Sequence, residues 1–343
     1  MSLRVLAMLA TVLLAGCAEL KKNPARQEAQ ARWEQMRAKV KLQLAERNFD
    51  SGQIEDALKL DQEVLALDPN SLGGYLLMAR IRLERGQTAE AEAALDAAAG
   101  LGRAVPELDY LRGMLAERRE QRSDAVSWYK RAYDAQTNEA DYLLAYVEAM
   151  LAAEDTAPAL ELLRKRERDF EQDVRVQLLF GRTLVLLGRH RESSDAYLSV
   201  IRLAPNAALL REETGLALLA AGRASEAQAV LEPLLDLPNV KPSTPALEAL
   251  ASALVQMNQP QRAIDVLEDA AGSEPRSFAA CLLLGKAYLL ANRAPAARQA
   301  ARQACDLKPE SAQARLLLAC CALAAGDRDE AIAAAQDLIA ADP

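Results

Sequence analysis

His190 is the one histidine in the chain's 343 residues, and it limits the chemistry available. A Ser-His-Asp triad would have to use that ring, and a histidine-rich metal site cannot be assembled. Arg189 and Arg191 flank it. Two cations disfavour the imidazolium, and no acidic neighbour in sequence orients the ring. His190 therefore reads as a solvated turn residue. The carboxylate pairs Glu212-Glu213 and Glu90/Glu92 fall on helical periodicity, where charge marks a wet face. Leu72-Gly73-Gly74 opens a helix but lacks the surrounding pattern of a phosphate-binding loop. Cys281, Cys305, Cys320 and Cys321 have no metal-ligand spacing. Each lies in an Ala/Leu-rich stretch, where cysteine serves as a small buried hydrophobe. A bridge, if one forms, joins Cys305 to Cys320 or Cys321, on helices that pack side by side. No catalytic constellation emerges, so a non-catalytic chain without metal or cofactor is expected.

Composition names the elements that would position such residues. Hydrophobic residues make up 51% of the chain, yet the aromatics are only 4 Phe, 2 Trp and 8 Tyr. The remainder is largely Ala and Leu, which favour helix over strand, so a mainly β fold is excluded. A net charge of −8 provides no electrostatic footprint for nucleic acid. Neither a nucleic-acid partner nor a small-molecule substrate is expected.

The N-terminus reads as an address. Arg4 precedes a ten-residue apolar run, Val5 to Leu14. That run is too short for a bilayer core, which needs about 20 residues. Leu14-Ala15-Gly16-Cys17 resembles the lipobox of bacterial lipoproteins. The resemblance implies removal of residues 1–16 and acylation (palmitate or a similar chain) of Cys17. Ala18 follows in place of the aspartate associated with inner-membrane retention, so an outer-membrane anchor facing the periplasm is expected. Residues 17–37 are expected to hold the lipidated cysteine, a polar tether to about Gln30, and a lead-in helix.

A period of 34 organises the rest. Ala57, Ala91, Ala125, Ala159 and Ala227 are spaced by 34 or a multiple of it, as are Gly52, Gly86, Gly188 and Gly222. After a two-residue slip near Lys241-Pro242 the period resumes at Pro275, Pro309 and Pro343. Phe180-Gly181, Gly188, Tyr197 and Pro205, like Leu284-Gly285, Tyr288, Ala297 and Pro309, are similar to the tetratricopeptide repeat, a helix–turn–helix unit. The resemblance covers about 38–343 and implies an all-α right-handed solenoid of nine units, starting at 38, 72, 106, 140, 174, 208, 244, 278 and 312. Small residues midway along first helices, such as Gly113, Gly181 and Gly215, are expected to admit the second helix at its own alanine. The fourth unit departs, with Val147 for a small residue, Glu154 for a glycine and a charged second helix, so irregularity is expected there.

In that family partners lie in a concave groove lined by first helices. Carried over, the groove residues here are Glu46, Arg80, Tyr110, Met114, Glu148, Arg182, Glu212 and Lys286. Leu42, Phe49, Leu76, Leu83, Glu117, Leu144, Leu151, Leu178, Val185, Leu216 and Leu282 lie beside them. The Lys–Asn carboxylate clamp of chaperone-binding members is absent. Apolar positions with alternating Glu and Arg suit an amphipathic helix or extended peptide of mixed charge. Residues 328–341 carry Ile332, Leu338 and Ile339 on more than one face, and Ile339 is expected at an end contact with a second copy or a partner helix. The resemblance thus implies a lipid-anchored scaffold serving envelope assembly or secretion. The alternative is a docking or regulatory subunit of an envelope hydrolase or polysaccharide-export machine.

Overall fold

The computed structural model describes residues 24–271 and 276–341. The leader, Cys17, Pro275 and Pro343 lie outside the described residues. Those residues form 18 α-helices and one 3-10 turn, with no strand among them. Helix α1 (Pro24–Asp50) is followed by α2 (Ile54–Leu67), α3 (Leu72–Glu84), α4 (Thr88–Gly100), α5 (Pro106–Arg118), α6 (Arg122–Ala135) and α7 (Ala140–Ala152). These belong to a first compact unit that ends at Asp155. The second unit, from Thr156, holds α8 (Thr156–Arg166), α9 (Val174–Leu186), α10 (His190–Leu203), α11 (Ala208–Ala220), α12 (Ala224–Leu231) and the 3-10 turn Glu232–Asp236. It continues through α13 (Thr244–Gln256), α14 (Pro260–Ala271), α15 (Phe278–Leu290), α16 (Ala294–Leu307), α17 (Ala312–Ala324) and α18 (Arg328–Ala341).

The tether expected to reach Gln30 is helical from Pro24 onward. Proline fits the first turn of a helix, and the Ala, Glu, Gln and Arg residues that follow are strong helix formers.

The hairpin turns follow from local chemistry. A residue of positive φ stands in each: Gly52 (79°), Gly86 (70°), Glu120 (59°), Glu154 (67°), Gly188 (67°), Gly222 (75°), Asn258 (56°), Asn292 (56°) and Gly326 (82°). Only that left-handed step lets the next helix turn back, and glycine or asparagine adopts it most easily. Ser71, Ser243, Ser277 and Ser311 open first helices by accepting the amide three residues on (Gly74, Ala246, Ala280 and Ala314). Glu154→Gly should therefore raise stability by about 1 kcal/mol, the usual penalty of a left-handed side chain. A melt unchanged or lowered would contradict this.

The boundary between the two units falls inside the fourth repeat, between α7 and α8. Val147 is fully buried there. Helix α8 stops at Arg166, and Glu167, Arg168 and Asp169 follow in turns, because these charged residues have no apolar face to bury. Phe170 closes the segment as a buried side chain beneath the Arg166 guanidinium, 5.6 Å from its ring centre.

Within each unit every helix packs on its chain neighbours. Contacts that skip a helix join first helices, α1 to α3 and α3 to α5 in the first unit, and α11 to α13, α13 to α15 and α15 to α17 in the second. First helices thus converge into an inner row, and second helices spread behind them. Glycine permits that convergence, though its neighbour differs from expectation. A Cβ on Gly113 would lie 2.5 Å from the Tyr129 ring, and one on Gly181 3.1 Å from Tyr197. Gly215 is pressed by Leu231, and Gly285 by Leu317 of the following repeat. The space at Gly113, Gly181 and Gly215 is filled by large side chains, whereas at Gly285 the carbonyl of the second-helix Ala297 also approaches, at 3.6 Å.

Candidate functional site

In the first unit, α1, α3, α5 and α7 place their exposed residues on one inner surface. The Arg80 guanidinium lies 4.7 Å over the Phe49 ring and 3.7 Å from the Asp50 carboxylate. Partial burial raises the Glu46 carboxyl above its ordinary value, Arg80 opposes this, and Glu107 and Asp50 add to the rise. Tyr110 stands between two rings, 5.5 Å from Tyr129 and 5.3 Å from Tyr142. Burial raises the Tyr110 phenol, and the carboxylates of Asp141, Glu117 and Glu148 add to the effect, against Arg80. The Tyr129 hydroxyl donates to Glu117 at 2.7 Å. The surface thus gathers Glu46, Arg80, Tyr110 and Glu148, with Met114 half-buried beside them. Acidic groups outnumber the Arg80 cation around a cluster of tilted tyrosine rings, Tyr110 and Tyr142 half-buried over the buried Tyr129. Such a surface attracts lysine or arginine side chains through carboxylate pairing and ring faces.

The second unit is organised differently. Arg182 pairs with Glu213 through two hydrogen bonds of 2.7 and 2.8 Å, and Glu213 also accepts the Tyr197 hydroxyl at 2.7 Å. Burial pushes the Glu213 carboxyl up, but the bonds from Arg182 and Tyr197 outweigh it and hold it below the ordinary range. Glu212 accepts the Ser243 amide at 2.9 Å and the Ser243 hydroxyl at 2.6 Å. It fastens one repeat to the cap of the next, at the seam between the first helices α11 and α13. Glu248 likewise accepts the Ser277 hydroxyl. Lys286 is half-buried, whereas Val185 and Leu216 are exposed.

Several expected groove residues belong to the interior. Leu76, Leu83 and Leu282 are buried, because first helices converge closely enough to cover that edge of the apolar stripe. Leu42, Phe49, Leu144, Leu151 and Leu178 are half-buried, and Glu117 is exposed. His190 is exposed and is the first residue of α10, past the turn where it was expected. The four described cysteines are free. Burial pushes the Cys321 thiol up to about 11. Cys320 is exposed rather than buried, since it occupies the inner-row position of α17 that Lys286 holds in α15. Ile339 is 69% exposed and Ile332 56%.

Two features escaped the sequence reading. Asp61 is fully buried on α2, and neither carboxylate oxygen has a hydrogen-bond partner. It occupies the place that Leu95, Tyr129, Leu163, Tyr197 and Leu231 take in later repeats, a substitution legible from the period. The second is a mostly apolar recess at the two-residue slip, walled by Leu235, Pro242, Leu247, Leu250 and Val266 and rimmed by Lys241, Arg262 and Asp269. Among the described residues no three His, Cys, Asp or Glu side chains are grouped as metal ligands would be.

Family models described as tetratricopeptide repeat match residues 178–237, 248–312 and 292–343 in one case and 48–115 in the other, together more than half of the chain. No curated protein matches. Among solved structures, the C-terminal part of a TPR repeat-containing protein from Cytophaga hutchinsonii is 17% identical, with 81% of this chain and 99% of that one covered and a TM-score of 0.50. A tetratricopeptide repeat protein from Parabacteroides merdae is 16% identical, with 74% and 99% covered and a TM-score of 0.47. YrrB, described as a TPR protein with an unusual peptide-binding site, is 16% identical, with 50% and 88% covered and a TM-score of 0.40. At these identities the first of the three likenesses shows the fold alone.

Proposed function

Since the chain belongs to the tetratricopeptide-repeat family, whose members are in general protein-interaction scaffolds, we propose that it is a lipid-anchored, periplasm-facing scaffold whose first unit holds a peptide segment of a protein partner. The observation that carries the peptide reading is the half-buried pair Tyr110 and Tyr142, backed by the buried Tyr129 and ringed by Glu107, Glu117 and Asp141. The segment it fits carries lysine or arginine beside apolar side chains, either extended or as one face of a helix. Such binding weakens as salt rises, because the attraction is partly electrostatic. The anchor reading rests on the order of charge, apolar run and small residues before Cys17, and the process served is envelope assembly or secretion.

The groove is tested by a photo-crosslinking residue at Met114, compared with one on the outer face of α6. Glu107→Lys with Glu148→Lys should abolish crosslinking at position 114 while leaving helicity intact, since surface substitutions typically change stability by about 0.5 kcal/mol or less. Unchanged crosslinking in that variant would remove the groove assignment. Cys17→Ala should move the chain out of the membrane pellet without unfolding the repeats. A variant that stays in the pellet through an alkaline carbonate wash, as the wild type does, would remove the anchor.

A further inference from the structure

Helix α1 carries an apolar stripe that nothing described covers. Trp33, Met36, Val40 and Leu44 are 60, 60, 62 and 48% exposed. Steps of three, four and four residues put them on one face of a helix with 3.6 residues per turn. The opposite face holds Ala38 and Ala45, both buried, and packs on α2 and α3. Single exposed hydrophobics are ordinary, but a contiguous row with tryptophan at one end marks a contact surface.

The charges beside the row indicate what it meets. In helical register the charged side chains nearest the stripe are Arg37 and Arg47, both exposed, and neither guanidinium forms an ion pair with a described residue. Glu28, Glu34 and Glu46 fall more than a quarter-turn away in the same register. We propose that α1 lies flat on an anionic phospholipid surface, with Trp33, Met36, Val40 and Leu44 seated at the headgroup–acyl boundary and Arg37 and Arg47 on lipid phosphates. Amphipathic helices with tryptophan on the apolar side and arginine at its edge bind membranes this way. No described helix is long and apolar enough to cross a bilayer, so the helix lies on the surface and does not span. A two-fold pairing of two copies through the stripe is disfavoured, since it would bring the arginines of both copies together with no carboxylate between them.

The proposal rests on the anchored reading for its location. Six residues separate Cys17 from Pro24, and at full extension they reach about 25 Å. An acylated Cys17 would therefore keep the start of α1 close to the lipid.

The test uses the full chain with Trp128→Phe, so that Trp33 alone reports. It is bound to phosphatidylcholine vesicles with brominated acyl chains, with and without phosphatidylglycerol. Trp33 emission should shift to the blue and be quenched, more strongly when phosphatidylglycerol is present. Val40→Glu with Leu44→Glu should lose most of the quenching while the chain still floats with the vesicles. Trp33 unquenched in vesicle-bound chain would overturn the proposal. So would a solution dimer, seen by sedimentation, that Val40→Glu dissociates. Failure of the anchor reads separately: Cys17→Ala carrying Val40→Glu and Leu44→Glu would then stay on membranes in cells as the wild type does, whatever the Trp33 signal.

Discussion

Asp61→Leu is expected to stabilise the first unit by about 4 kcal/mol more at pH 8 than near pH 4. Burial pushes the Asp61 carboxyl from its ordinary value of 3.8 up to about 7, and the nearby Glu46 charge adds to the rise. A shift of about three units corresponds to about 4 kcal/mol between the two protonation states. The folded chain holds the proton more tightly than the unfolded chain. The part of the stability that depends on Asp61 is therefore greatest below pH 3.8, falls as pH rises toward 7, and levels off above it. Leucine removes the ionisable group and restores the apolar side chain that Leu95 supplies one repeat later. Asp61→Asn should abolish the same pH slope while leaving a buried amide unsatisfied, so its gain is smaller than that of leucine. Trp33 and Trp128 both lie in the first unit, so their fluorescence in urea titrations follows that unit. A difference between wild type and Asp61→Leu that is the same at both pH values would show that Asp61 does not titrate on folding.

Gly113→Leu is expected to destabilise the first unit by about 3 kcal/mol, the upper part of the usual range for overpacking. A Cβ there would already lie 2.5 Å from two carbons of the Tyr129 ring. Tyr129 is 1% exposed and is held at both ends, by Tyr110 at its ring and by Glu117 at its hydroxyl. It cannot swing aside without breaking that network. Gly181→Leu should cost less, because the corresponding approach to Tyr197 is 3.1 Å. Tyr129→Leu placed in the Gly113→Leu chain should recover part of the loss by freeing the space. Thermal melts that rank the two glycine variants the other way would overturn the packing argument. The same variant bears on binding: moving Tyr129 disturbs the Tyr110 stack, so Met114 crosslinking should weaken in any Gly113→Leu chain that still folds.

The hairpins were legible from the chain alone because they depend on short-range chemistry. A left-handed residue recurs at 34-residue spacing from Gly52 to Gly222, and at the same spacing from Asn258 to Gly326. Each turn needs that backbone step whatever surrounds it. Even Glu120 and Glu154 accept it, since the flanking helices require it. The first-helix starts from Leu72 through Pro106 and Ala140 to Val174 coincide with the period for the same reason.

Side-chain destinations were not legible, because one helical stripe serves both the core and the inner surface. Leu282 and Leu316 occupy the same place in successive repeats, yet the first is buried and the second is 54% exposed. Among the described residues, α15 has the following first helix α17 packed on it, and α17 has no following first helix. Glu212 and Glu213 are adjacent in sequence and answer to different partners, Ser243 for one and Arg182 with Tyr197 for the other. Asp61 shows the limit most clearly. Its departure from the apolar pattern is visible in the period, but whether a carboxylate at that place meets water or is sealed off depends on how closely α1, α2 and α3 pack. That closeness is set by side chains distant in sequence, and it turns an ordinary acid into one that holds its proton up to about pH 7.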